Sequence, residues 1–181
     1  IRRTVTEMDN TLFSALCYNC APLHIDAEYA KNSIYGQRLV NSMFLLALVC
    51  GVIVIDSTIG TTLGNLGLDE IKFPKPVFHG DTIHVRTEVL ERRLSQKRTD
   101  SGIVTFRHVG LNQRNEVVCE CKRVGLMLTL AAYAELQAKI KASEAAICKA
   151  VADLERANKG GTGAITTKQD ADKKWYVYIG G

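Results

Sequence analysis

Proline is nearly missing from this chain: 181 residues hold three, Pro22, Pro74 and Pro76. Nothing in it is therefore a proline-rich spacer. Aromatic residues make up 7%, with a single tryptophan, and there are four histidines. No run of Lys and Arg is dense. Arg2-Arg3 and Glu91-Arg92-Arg93 come nearest, and the net charge is only +4, so the pattern reads as solvated surface and speaks against nucleic acid. The longest apolar run, Met43 to Ile55, is too short for a membrane span and fits a buried helix better. No secretory signal, internal repeat or low-complexity tract is visible. The chain opens on Ile1 instead of Met, so a removed targeting segment stays open.

What is there is ordinary for a globular protein: 46% hydrophobic and 23% charged residues, enough for one domain with an appendage. Six cysteines without a signal point to free thiols in a reducing compartment, the cytoplasm or the mitochondrial matrix. Cys17-x-x-Cys20 with Cys119-x-Cys121 is one conceivable zinc quartet, but the second spacing is too tight for the usual pattern. Cys119 and Cys121 alternate with charged neighbours on an apparent strand, and a core face is the plainer reading. No metal is expected.

The periodicity predicts an α+β domain over residues 1–129 and an extension over 130–181. A β-prone start precedes a helix opening at Thr6-Glu7-Met8-Asp9, with Leu12, Phe13 and Leu16 at helical spacing. A short helix follows from Asp26 to Gly36. Val40 to Ile55 is apolar nearly all round, which predicts a helix buried on most sides, broken by Asp56-Ser57-Thr58 and Gly60. Residues 66–127 read as an antiparallel sheet with strands Leu66–Phe73, Thr82–Leu94, Gly102–Leu111 and Glu116–Met127, turning at Gly80-Asp81 and at Asn112–Asn115. On the second strand Ile83, Val85, Thr87 and Val89 should share one face. A long meander around one apolar helix implies a curved sheet wrapped around it. Leu130–Ala157 predicts a long helix with a narrow stripe of Tyr133, Leu136, Ile140, Ile147, Val151 and Leu154. That stripe serves either its own domain or another protein, and both readings stand. Asn158 to Gly163 should end it, before a polar stretch and a strand-like Trp175–Ile179.

The most informative stretch is Asn19-Cys-Ala-Pro-Leu-His24-Ile-Asp26. Pro22 fixes its own φ and pushes Ala21 towards an extended conformation. Asp26 then caps the next helix. His24 is thus held at a loop-to-helix junction, with an amide upstream, an arrangement suited to moving a proton to or from a bound water. His79 and His84 fall near a strand on opposite faces and make a poor metal pair. His108 reads as surface or cross-strand, and Asp69-Glu70 as opposed strand neighbours, at least one of them facing solvent.

Taken with Leu39-Val-Asn-Ser-Met43, Asn65-Leu-Gly-Leu-Asp-Glu70 and Phe73-Pro-Lys-Pro-Val-Phe-His-Gly-Asp81, Pro22-Leu-His-Ile-Asp26 resembles the MaoC-like branch of the hotdog superfamily. Within that branch it is most similar to the itaconyl-CoA/mesaconyl-CoA hydratase-like group. The resemblance spans about Arg3 to Met127. It implies a hotdog fold, a homodimer or larger hotdog assembly, and hydration or dehydration of enoyl-CoA thioesters, with coenzyme A entering only as part of the substrate. His24 matches the family's catalytic histidine. Asn19 falls where the usual partner is Asp, and Ala21 where it is Asn; related mesaconyl-type sequences resemble this one in having Asn at the first position. The resemblance also implies an oxyanion-binding backbone N–H at the start of the central helix, around Asn41, Ser42 and Met43, with Pro22 and Asp26 shaping the substrate side. For Asn41 and Ser42 the plainer reading is a helix cap. Two further readings remain: a hotdog subunit without chemistry, binding acyl-CoA or serving an assembly, and a hotdog thioesterase.

Overall fold

The computed structural model describes residues 1–157 and the backbone of 165–169 and 175–179. The chain divides into two units, Ile1–Leu130 and Ala131–Gly181.

The first unit opens with strand β1 (Arg2–Thr4) and helix α1 (Glu7–Leu16). Thr6 and Asp9 close a capping box at the start of α1, where each satisfies the other's backbone N–H. Two short helices follow, α2 (Pro22–Ile25) and α3 (Ala27–Lys31). The latter stops at Lys31, short of Gly36, which instead takes a left-handed turn with φ +68°. The central helix α4 (Ser42–Val52) and the turn of helix α5 (Val54–Ser57) precede four long strands, β2 (Thr62–Lys72), β3 (Thr82–Leu94), β4 (Ser101–Leu111) and β5 (Val117–Leu128). All pairings are antiparallel, in the order β1-β3-β4-β5-β2. The sheet carries α4 on one face, which is the hotdog arrangement. Leu45, Leu46 and Val49 of α4 pack with Ile83, Val118, Cys119 and Cys121 of the sheet. At Gly110 the helix comes so near that a Cβ would lie 2.5 Å from Val49 Cγ2, so only glycine fits.

Burial follows expectation on α4 and departs from it on α1 and β3. The apolar run at 43–55 is buried on most sides, with one open stripe: Met43, Ala47, Gly51 and Ile55, four apart, lie exposed. It is also interrupted at Ile53, where Gly51 and the β-branched Val52-Ile-Val-Ile55 weaken the helix. In α1 the polar side is buried. Asn10 and Ser14 face inward, while Leu12 and Leu16 are exposed, and only Phe13 of the expected trio packs, edge-on to Phe44 at 5.7 Å. On β3 the predicted apolar face is covered through Val85 but open at Thr87 and Val89, ahead of a bulge between Val89 and Glu91.

In the second unit, α6 (Leu130–Ala157) is a 28-residue helix, and β6 (Ile165–Gln169) pairs antiparallel with β7 (Trp175–Ile179). The expected helix stop at 158–163 and the surroundings of the aromatic tail lie outside the described residues. No helix among the described residues is long and apolar enough to cross a membrane.

Candidate active site

Pro22 opens α2 at its first helical position, and the preceding Ala21 is extended at φ −59°, ψ 125°. Asp26 ends α2 and caps α3, its Oδ1 accepting from the Tyr29 N–H at 3.0 Å. That carboxylate is therefore engaged as a cap, and with Pro22 it holds the turn. Between them His24 is half-buried, with Nδ1 2.8 Å from the Leu39 carbonyl oxygen. A carbonyl only accepts, so Nδ1 of the neutral ring carries the hydrogen and Nε2 holds the lone pair. The imidazole is thus oriented by backbone, with one nitrogen left for chemistry.

Asn19 does less than its position suggested. Its Oδ1 accepts the Ala21 N–H at 3.3 Å, turned into its own loop, and no hydrogen bond joins it to His24 among the described residues. The remaining Asn19 amide can still donate to a water or ligand.

At the start of α4 the three candidate backbone donors separate. The Asn41 N–H donates to Asn10 Oδ1 at 2.8 Å, and the Met43 N–H to Asn41 Oδ1 at 3.0 Å. Asn41 is fully buried, with its Nδ2 directed at Ser14 Oγ and Cys17 Sγ. Asn41 is therefore the cap, and the Ser42 N–H, at the positive end of the helix, has no partner among the described residues. Ser42 lines a pocket of about 210 Å³ with Tyr35, Leu39, Phe73, Pro74 and Lys75. Leu39 thus both lines the pocket and orients His24 with its carbonyl.

Sequence reading missed the residue that joins these parts. Asn10, wholly buried in α1, directs Nδ2 at the carbonyls of His24 (3.0 Å) and Leu39 (3.3 Å) and at His79 Nε2 (3.0 Å). Its two hydrogens serve three acceptors, so one is shared. His79 must accept here, hence be neutral on Nε2. Burial, followed by the charge of Arg38, lowers its pKa, with Glu7 opposing. Arg38 is itself paired with Glu7 at 2.6 Å. The available signal was Asn10 and Ser14, poor helix formers four residues apart inside a capped helix.

The other histidine and cysteine expectations resolve simply. His108 is not at the surface: it is fully buried on β4, bonded across to Thr87 Oγ1 at 2.9 Å. Glu70 pairs with Lys122, and the Asp69 carboxylate accepts the Glu70 N–H. Cys17 and Cys20 are exposed, whereas Cys119 and Cys121 are buried against the helix, so the four cannot share one zinc ion.

A profile of the MaoC like domain matches residues 1–110, which contain the His24 turn, the start of α4 and the pocket. The chain belongs to the MaoC-like domain family. Protein MaoC of Klebsiella aerogenes is 34% identical over 98 residues, 54% of this chain and 29% of that one. Mesaconyl-CoA hydratase of Cereibacter sphaeroides is 31% identical over 118 residues, 65% and 34% of the two chains. Among solved structures, a monoamine oxidase regulatory protein from Archaeoglobus fulgius superposes with a TM-score of 0.64 at 34% identity, covering 71% of this chain and 86% of the other. This MaoC-like domain spans about a third of the length of these two curated relatives.

Proposed function

We propose that this domain is an acyl-CoA hydratase/dehydratase, adding water to the double bond of a short or branched enoyl-CoA thioester or removing it. The observation that carries the reading is the His24 Nδ1 bond to the carbonyl of Leu39, a residue that also lines the pocket; the bond fixes the ring and leaves Nε2 as its unspent nitrogen, although His24 is not itself among the lining residues. Nε2 takes a proton from water while the hydroxyl bonds to Cβ. The electron pair of the double bond moves onto the thioester oxygen, where the Ser42 N–H receives the charge. The proton then passes from Nε2 to Cα, and the carbonyl reforms. Asn19 supplies an amide donor for the water. No electrons are exchanged, so no oxidant or reductant is needed, and coenzyme A enters as part of the substrate.

The pocket has room for a short acyl group. Mesaconyl-CoA, the substrate in one relative's name, and itaconyl-CoA are therefore the first candidates. Exposed apolar residues on α1 and α4, Met8, Leu12, Leu16 and Met43 among them, favour pairing with a second hotdog domain. One observation favours a rival. Asn19 turns its only acceptor into its own loop and cannot take a proton, as expected of a hotdog that binds acyl-CoA, or serves an assembly through residues 130–157, without turning it over.

The test is turnover of crotonyl-, mesaconyl- and itaconyl-CoA, followed by loss of the conjugated thioester absorbance, with His24→Ala alongside. Turnover abolished by the substitution supports the hydratase. A folded protein that binds CoA thioesters and turns none over supports the rival.

A further inference from the structure

The sheet face beneath the central helix holds a cation with no counter-ion. Arg123, on β5, is 7% exposed. Its Nε donates to His108 Nε2 at 3.2 Å, and its guanidinium carbon lies 5.1 Å from the centre of the Phe106 ring. Its Nη2 is buried with no partner, and no carboxylate pairs with Arg123 among the described residues. A charge held this far from water needs an anion near it. The acids beside it are thiols. Cys121 precedes Arg123 by two residues on the same strand face, and its Sγ lies 3.9 Å from Sγ of Cys50 on α4.

We propose that Cys50 and Cys121 are a peroxide-sensitive thiol pair that closes to a disulfide between the central helix and the sheet. The two sulfurs are not equivalent. Cys50 is half-buried, and its thiolate is favoured by the Cys121 S–H and, against burial, by the charge of Arg123, which together bring its pKa down to about 7. Cys121 is fully buried. The bond it shares with Cys50 and its desolvation hold it protonated, and burial does the same for Cys119, raised to about 12. Cys50 is thus the attacking sulfur and Cys121 the resolving one.

The chemistry balances with a hydroperoxide as oxidant. The Cys50 thiolate attacks one peroxide oxygen, the O–O bond breaks, and the second oxygen leaves as hydroxide, taking a proton to become water. Cys50 is now a sulfenic acid. Cys121 gives up its proton and attacks the Cys50 sulfur. The S–S bond forms and the hydroxyl leaves as a second water. Two thiols lose two electrons and one peroxide gains them. Closing needs the sulfurs to approach by roughly 2 Å, to the ordinary S–S length. Cys50 lies two residues before the end of α4, next to the weak stretch where the helix breaks, so the slack is on its side.

The experiment treats the full native chain with hydrogen peroxide, blocks remaining thiols with an alkylating agent and maps peptides by mass. The expected product joins the Cys50 and Cys121 peptides with loss of two hydrogens and is reversed by dithiothreitol. Cys119→Ser should keep the link. Cys121→Ser should abolish it and leave a Cys50 sulfenic acid that dimedone traps. Should that variant fail to fold, the wild-type map and the pH dependence of Cys50 alkylation, with a midpoint below that of an ordinary thiol, decide instead. The inference is overturned if Cys50 stays reduced while exposed Cys17 and Cys20 oxidise, if it links elsewhere, or if it goes to sulfinic acid without a link.

Discussion

Two histidines in this domain are held in nearly the same way and differ in what is left over. His24 Nδ1 lies against the Leu39 carbonyl, and His108 Nδ1 against Thr87 Oγ1. His24, in a one-turn helix bonded to a pocket-lining residue, keeps Nε2 free among the described residues. His108, in the middle of the sheet, gives Nε2 to Arg123 and stacks on Phe106 at 5.8 Å between ring centres. Both are fixed, but only one has an unspent nitrogen. The difference teaches that a fixed imidazole is chemically useful only where the fold stops short of satisfying it.

The comparison breaks most directly at His24. His24→Ala should reduce hydration by about 10²–10⁴-fold, the usual contribution of a positioned acid-base group, with little change in the urea midpoint. An equal loss for both would make His24 structural. His108 should respond in stability. Burial, then the charge of Arg123, lowers its pKa from 6.5 to about 4. Below about pH 6.5 the unfolded chain takes up a proton that the folded chain refuses, so the contribution falls as pH drops towards 4, by about 3 kcal/mol in all. Urea titrations at about pH 7 and about pH 4.5 should show that loss, and His108→Gln should flatten it.

Asn10 sharpens the same contrast. Asn10→Ala removes the group that ties His24, Leu39, His79 and Asn41 together and leaves buried backbone groups unpartnered, for about 1–3 kcal/mol of stability. If it positions the site, kcat should fall while KM moves little; Ser14→Ala, which touches only the Asn41 side chain, should cost less on both counts. Asp26→Ala should be the mildest, about 1 kcal/mol for a lost helix cap, read from the thermal midpoint.

Much of this was legible in the chain. The strand Thr82–Leu94 and the helix Leu130–Ala157 appear at the boundaries their patterns imply, and the cap at Asp26 follows from a side-chain rule that acts over three residues. His24 was legible as a fixed group because Pro22 acts on its immediate neighbours. Its orientation was not, since the partner is a backbone carbonyl fifteen residues away, and backbone carbonyls leave no mark in a sequence. Asn10 was hidden for the same reason, and Ser14 because its partner is a side chain far along the chain. They are buried because they meet polar groups, main-chain ones for Asn10 and the Asn41 amide for Ser14, and an apolar-periodicity argument places such residues in solvent. Which stripe of α4 stays open was not legible, because an apolar run reports that a surface is sticky without saying whether one chain covers all of it.

Leu39 donates its N–H to Leu23 and accepts from both His24 and Asn10, all through its main chain. Two kinds of information are therefore stored at one position in separate registers. The residue takes its place in the pocket wall, and its peptide unit writes the tautomer of the base. A library saturated at position 39 should drift freely in acyl preference while keeping its chemistry, with proline, which has no N–H to give Leu23, as the substitution that erases both.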